Sequence, residues 1–162
     1  MNKYIKLSNG MKAIIDAEDW KKVKHFSWGF GYGHAKKSGY QQYVGAYKGN
    51  YQGSMMLHRF IMDTPKGFHT DHINGNHLDN RKSNLRVCSA QQNQWNSRKH
   101  IIQSSKYKGV SWYKRDKCWR AYANLNYQQI HLGYFKSEIE AAKVYNRKAK
   151  ELYGAFAFLN SF

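Results

Sequence analysis

Apolar and polar positions alternate in short runs over the first sixty residues and again from residue 107, and a sustained helical period appears only near the C-terminus. Tyr4–Leu7 and Met11–Ile15 are strand-length runs split by Ser-Asn-Gly at Ser8–Gly10, which predicts a hairpin. Ala17–Phe26 reads as one short helix with Asp16 as its cap. The aromatic runs FSWGFGYGHA, QQYVGAYKG and GSMMLHRFIM, punctuated by glycine, predict strands of a small antiparallel sheet, with Trp20, Trp28 and Phe30 in packing roles. Pro65, the only proline, opens a stretch dense in Asn, Asp and His. Within it a strand ends at Asp71-His72, Asn74-Gly75 turns the chain, Leu85–Val87 returns, and Ser89 with Gln92 makes a capping box that starts a helix. The result is strand, loop, strand, helix, with polar groups gathered at one end. From residue 107, Tyr107–Tyr113, Cys118–Asn124 and Gln129–Phe135 read as three strands, with turns at Lys114–Lys117 and Leu125–Gln128. Ser137 and Glu140 box the start of a helix that carries Ala141, Tyr145, Ala149 and Leu152 on one face and ends at Gly154.

The 162 residues have room for one compact domain or two small ones. No run approaches the roughly 18 apolar residues of a membrane span, and the first residues, MNKYIKLSNG, carry no apolar leader, so a cytoplasmic protein is expected. Cys88 and Cys118 make neither a disulfide framework nor a structural zinc site. Charge changes the picture most. There are 27 Lys and Arg against 10 Asp and Glu, a net +17, with 16% aromatic residues. That combination excludes a disordered chain and points to a folded binder of polyanions. Without a basic amphipathic helix of broad apolar face, nucleic acid is favoured over a membrane surface. Basic residues exceed acidic ones 16 to 6 up to residue 100 and 11 to 4 beyond it, so both halves share the excess. Residues 97–120 hold eight basic side chains and one acid, so the 97–106 segment reads as a basic linker in which Arg98 and Lys99 track phosphates.

In the central stretch, DHINGNHLDNRKSNLRV presents D-H, N-G-N, L-D-N and N-L-R-V in that order, with LHRFIM upstream at Leu57–Met62. This run resembles the HNH nucleases, and in particular the phage and intron-encoded homing endonucleases, over about residues 55–96. The resemblance implies a ββα-metal site in which Asp71 gives a carboxylate to one divalent cation, His72 is the general base, Asn84 holds the histidine-bearing loop, and Asn93 is the second protein ligand. Hydrolysis of a phosphodiester needs a nucleophile made from water and relief of charge on the leaving oxygen. Asp and Asn oxygens suit Mg²⁺ or Mn²⁺, one ion per site. Among the neighbouring histidines, His77 ranks second as a base, His69 is a look-alike, and His58 reads as structural.

The C-terminal stretch carries Y-K-G-V at 107–110, W-R-A at 119–121, H-L-G-Y-F at 131–135, E-A-A-K-V-Y-N at 140–146 and G-A-F-A at 154–157. It resembles the plant ethylene-response-factor (APETALA-type) DNA-binding domain, a three-stranded antiparallel sheet on one helix whose open face enters the major groove. Alternation then assigns Trp119, Ala121 and Ala123 to the helix side. Ser111, Tyr113, Arg120, Tyr122, Asn124, Gln129 and His131 fall on the DNA side, with Lys108, Lys114 and Arg115 near phosphates. The arginine after Gly-Val in the plant pattern is Ser111 here, and its tryptophan before Leu-Gly is His131, so the plant target sequence does not transfer.

The expectation is an α+β protein: a β-rich nuclease module over 1–96, a linker over 97–106 and a DNA reader over 107–162. It would cut double-stranded DNA site-selectively as a monomer, with no membrane and no structural zinc. The rivals are a DNA-binding regulator whose HNH module is only a scaffold, and an RNA binder that stacks bases on its aromatics.

Overall fold

The computed structural model describes residues 1–31, 43–47, 54–98, 104–126 and 128–162. Expected strand residues 32–35, 41–42, 48–49 and 53, Lys99 and most of the linker, and Tyr127 of the second C-terminal turn lie outside them. The architecture is mixed α and β, with small antiparallel sheets and few helices, in two compact units, Met1–Asn93 and Gln94–Phe162.

In the first unit, β1 (Asn2–Lys6) and β2 (Lys12–Asp16) form the expected hairpin. Gly10 takes φ +83° and donates its N–H to the Leu7 carbonyl, and Asn9 Oδ1 accepts the Met11 N–H. The pleat turns Ile5, Ala13 and Ile15 into the core. A 3-10 turn over Ala17–Asp19 leads into α1 (Trp20–Val23), shorter than the helix read over Ala17–Phe26. Asp16 caps neither piece, because its carboxylate is occupied by the backbone N–H of Lys82. β3 (Gly29–Phe30), β4 (Val44–Tyr47) and β5 (Ser54–Met56) form a three-stranded antiparallel sheet in that order. The run read as a strand through Met62 turns helical at α2 (Leu57–Ile61). Leu57 and Ile61, four residues apart, are both buried and Phe60 packs on the same core, so the helical period wins. Trp28 is buried there too and donates its indole N–H to the Val23 carbonyl. β6 (His69–His72) and β7 (Leu85–Cys88) pair antiparallel, and α3 (Ala90–Asn96) follows. The capping box is complete: Gln92 N–H donates to Ser89 Oγ, and Ser89 N–H donates to Gln92 Oε1.

In the second unit, β8 (Val110–Tyr113), β9 (Cys118–Leu125) and β10 (Gln128–Phe135) make an antiparallel sheet with β9 central, and α4 (Glu138–Tyr153) packs on it. Alanines on both sides, Ala121 and Ala123 against Ala141, Ala142 and Ala149, allow the close approach. The first strand begins at Val110 rather than Tyr107 because Gly109 sits at φ +73°. A Cβ there would strike the Tyr145 ring. Ser137 Oγ accepts the Glu140 N–H, and Gly154, at φ +53°, closes the helix. Among the described residues no helix is long and apolar enough to cross a membrane.

Candidate active site

The loop between β6 and β7 is built from asparagine side chains standing in for backbone. Asn74 Oδ1 accepts the Asn76 N–H and Asn76 Oδ1 accepts the Leu78 N–H, while Gly75, at φ +68°, donates to the His72 carbonyl. Asn84 ties both ends of the loop: its Oδ1 accepts the Asn74 N–H at 3.0 Å and its Nδ2 donates to the Asp79 carbonyl at 2.8 Å. The N-terminal hairpin holds the far side. Ile14 N–H donates to the Leu78 carbonyl and the Ile14 carbonyl accepts the Asn80 N–H, each at 2.8 Å. Asp79 is salt-bridged to Arg81 at 2.6 Å.

Asp71 is buried on β6 directly opposite Arg86 of β7. Arg86 donates from Nε (2.9 Å) and Nη2 (2.7 Å) to Asp71 Oδ2. His72, the next residue, is buried with Nε2 3.2 Å from Oδ1 of Asn80. Its ring centroid lies 5.0 Å from that of His58 and 5.1 Å from that of His77, and Tyr43 stacks on His77 at 4.3 Å. Burial pushes His72 down to about 4 against the upward pull of the Asn80 hydrogen bond, and the charge of His77 lowers it further. Burial and the neighbouring His72 push His58 to about 3. Both imidazoles are therefore neutral near pH 7. Burial, with help from the Asp71 charge, raises the Tyr43 phenol. His58 Nδ1 is buried with no hydrogen-bond partner among the described residues.

Asp71, His72 and Asn84 thus lie on one hairpin and its loop, each with its own partner: Asp71 with Arg86, His72 with Asn80, and Asn84 with Asn74 and Asp79. Asn93 is half-buried on α3 with its N–H donated to the Ser89 carbonyl, and its side chain makes no hydrogen bond to another described residue. No group of three or more His, Cys, Asp and Glu placed to hold a metal occurs among the described residues. The oxygen donors Asp71 and Asn93 suit a hard cation that keeps most of its shell for water and phosphate. Arg86, Asn80 and Tyr43 were not singled out from the sequence. The β6–β7 register, once the hairpin is assigned, sets Arg86 across from Asp71; no local signal marks Tyr43.

In the second unit, the sheet face away from α4 carries Ser111, Arg120 and Tyr134 across one row and Tyr122 beside His131, with Asn124 opposite Gln129. The register shift between His131 and Gly133 turns Tyr134 onto this face, where sequence alternation had stopped at His131. The Arg120 guanidinium lies 5.4 Å from the Tyr122 ring centroid and 5.9 Å from that of Tyr113. Its Nε is buried with no partner among the described residues. Lys114 and Arg98 are exposed, and Arg115 is paired with Asp116. Lys108 is placed differently from its expected phosphate role. Its ammonium donates to the carbonyls of Gln94, Trp95 and Ser97 at the end of α3, and burial lowers it to about 8.

Residues 63–95 match a family model described as HNH endonuclease. The chain is 32% identical over 157 residues to a protein named as an uncharacterized HNH endonuclease from Acanthamoeba polyphaga mimivirus, covering 93% of this chain and 75% of that one. It is 35% identical over 95 residues to Protein 3.8 of Escherichia phage T7, covering 57% of this chain and 76% of that one. No solved structure matches the chain. With the ordered Asp-His, Asn and Asn motif lying on a strand, loop, strand and helix, and with the mimivirus likeness running along nearly the whole sequence, the chain belongs to the HNH endonuclease family.

Proposed function

We propose that the protein is a metal-dependent, site-selective endonuclease of double-stranded DNA, a phage or mobile-element homing enzyme. The observation that carries this is the buried His72 at the end of β6, next to Asp71 and with Nε2 3.2 Å from Asn80 Oδ1, within the stretch that matches the HNH endonuclease model. His72 accepts a proton from water as the water oxygen bonds to phosphorus and the bond to the leaving sugar oxygen breaks. Asp71 and Asn93 are the residues that would hold one Mg²⁺ or Mn²⁺, with β6, β7 and α3 as the ββα-metal element. When bound, that ion relieves charge on the phosphate and the leaving oxygen. Asn84 keeps the histidine-bearing loop in place through its bonds to Asn74 and Asp79.

Residues 1–96 serve as the nuclease module, 97–106 as a basic linker and 107–162 as an APETALA-type reader whose sheet face meets duplex DNA. Arg120, Asn124 and Gln129 are the candidates for base edges, and Arg98 and Lys114 for phosphates. The test is cleavage of plasmid DNA with Mg²⁺ under single turnover. His72→Ala is expected to lose at least about 100-fold in rate while DNA affinity stays within about threefold. A variant that cuts as fast as the parent removes His72 from the mechanism. The hold of Arg86 on Asp71 favours a second reading, a DNA-binding regulator with an inert HNH scaffold. A parent chain that binds duplex but does not cut with either metal would establish it.

A further inference from the structure

We propose that Asn80 is a positioning residue that sets the tautomer of His72, accepting the Nε2 proton through Oδ1 and so placing the lone pair on Nδ1. This rests on His72 being the base in the reading above. A primary amide can be turned end for end without changing its shape, and a backbone carbonyl resolves which end is which here. Asn80 Nδ2 lies 3.1 Å from the His77 carbonyl oxygen, an atom that only accepts, so the amide NH₂ faces it. The other end, Oδ1, then faces His72 Nε2 at 3.2 Å. An amide oxygen only accepts, so Nε2 carries the hydrogen. The reverse amide would set two oxygens against each other at a site where Asn80 is fully buried, which makes the repulsion costly.

The backbone around Asn80 is held from two directions. Its own N–H donates to the Ile14 carbonyl of β2, and the preceding carbonyl, that of Asp79, accepts from Asn84 Nδ2. The N-terminal hairpin therefore acts on the candidate base through one side chain. The proton balance closes on this arrangement: the water O–H bond breaks, the proton moves to Nδ1, and the imidazolium keeps its Nε2–H bond to Asn80, which strengthens as charge develops. The same hydrogen bond serves both protonation states, so the ring need not turn during the reaction.

The first test needs no variant of Asn80. Full-length protein carrying ¹⁵N-labelled histidine is examined near neutral pH by long-range nitrogen–proton correlation, with His72 identified by its loss in His72→Gln. A hydrogen on Nε2 is expected, and a hydrogen on Nδ1 overturns the proposal. The second test is single-turnover cleavage with Mg²⁺ by Asn80→Leu, which has no acceptor, and Asn80→Asp, which keeps one but cannot donate to His77. At saturating protein, Asn80→Leu is expected to cut at least about tenfold more slowly with DNA affinity within about threefold, and Asn80→Asp to recover most of that loss. Equal losses in the two would make the role merely structural and overturn the proposal. His72→Ala separates the two levels. If it cuts like the parent, the base reading itself fails. If it is inactive while the parent shows Nδ1–H, the base stands and Asn80 does not set it.

Discussion

At the scale of single residues, the candidate site is organised by what burial does to charge. Asp71 and Arg86 form an ion pair whose side chains are 8% and 15% exposed. Taking away the guanidinium leaves a carboxylate in low dielectric without the cation that balances it. Arg86→Met is therefore expected to cost about 3 kcal/mol in urea unfolding, and Asp71→Asn in the same chain to restore more than half of it. Simple additivity of the two substitutions would show that the pair is not coupled. His58 shows the same physics with one group. Its folded value near 3 lies below the ordinary 6.5, so the unfolded chain takes up a proton at pH values where the folded chain does not. The contribution to stability is complete above pH 6.5 and declines as pH falls toward 3. Between pH 7 and pH 4.5 the parent should lose about 2.5 kcal/mol more than His58→Leu in paired urea titrations, since about 1.4 kcal/mol is lost per pH unit below 6.5. His72 is present in both chains and largely cancels. Parallel losses in the two would mean that His58 titrates normally.

At the scale of elements, the candidate site is a loop clamped on both sides, by Asn84 within the hairpin and by β2 from the N-terminus. Asn84→Ala removes the acceptor of the Asn74 N–H and the donor to the Asp79 carbonyl. Stability should fall by about 2 kcal/mol, and the Asn74 amide should exchange with solvent at least about tenfold faster, read by native-state hydrogen exchange. An unchanged Asn74 exchange rate would mean that the loop holds its shape without Asn84. What could be read in advance follows the range of each interaction. The capping box at Ser89 and the Ser137 cap on the Glu140 N–H each close within four residues, so their chemistry is written locally. The Ser8–Gly10 turn is equally local. Asp16 looked like a cap because its partner, the Lys82 N–H, is 66 residues away. Leu57–Ile61 has residues that suit a strand, and only the core that receives Leu57 and Ile61 together decides for helix. The candidate site divides the same way. Asp71, His72, Asn80, Asn84 and Arg86 all stand in the ordered motif, but the partners of Arg86 and Asn80 are set by a register and a loop closure, and Tyr43 and His58 arrive from other segments.

At the scale of the whole molecule, a net charge of +17 favours any polyanion, so the informative question is which cations read sequence and which only attract. Geometry separates three kinds in the second unit. The ammonium of Lys108 is taken up by three carbonyls, so Lys108→Met should lower thermal stability and leave the salt dependence of DNA binding unchanged. Lys114 is exposed at a turn, so Lys114→Ala should weaken all duplexes alike and reduce the slope of log affinity against log salt by about one. Arg120 is central on the sheet face, set between the Tyr113 and Tyr122 rings with a buried Nε that lacks a partner among the described residues. Stacking of this kind fixes the plane of a guanidinium before any ligand arrives, which lowers the ordering cost of a bidentate contact. Arg120→Ala is therefore expected to cost about 1–3 kcal/mol on a preferred duplex and far less on random sequence, measured by competition binding at fixed salt. Cleavage at saturating protein should stay at the parental rate, because His72 and Asp71 belong to the other unit. A uniform loss across all duplexes would reduce Arg120 to a phosphate contact and remove the ground for proposing this sheet face as a reader.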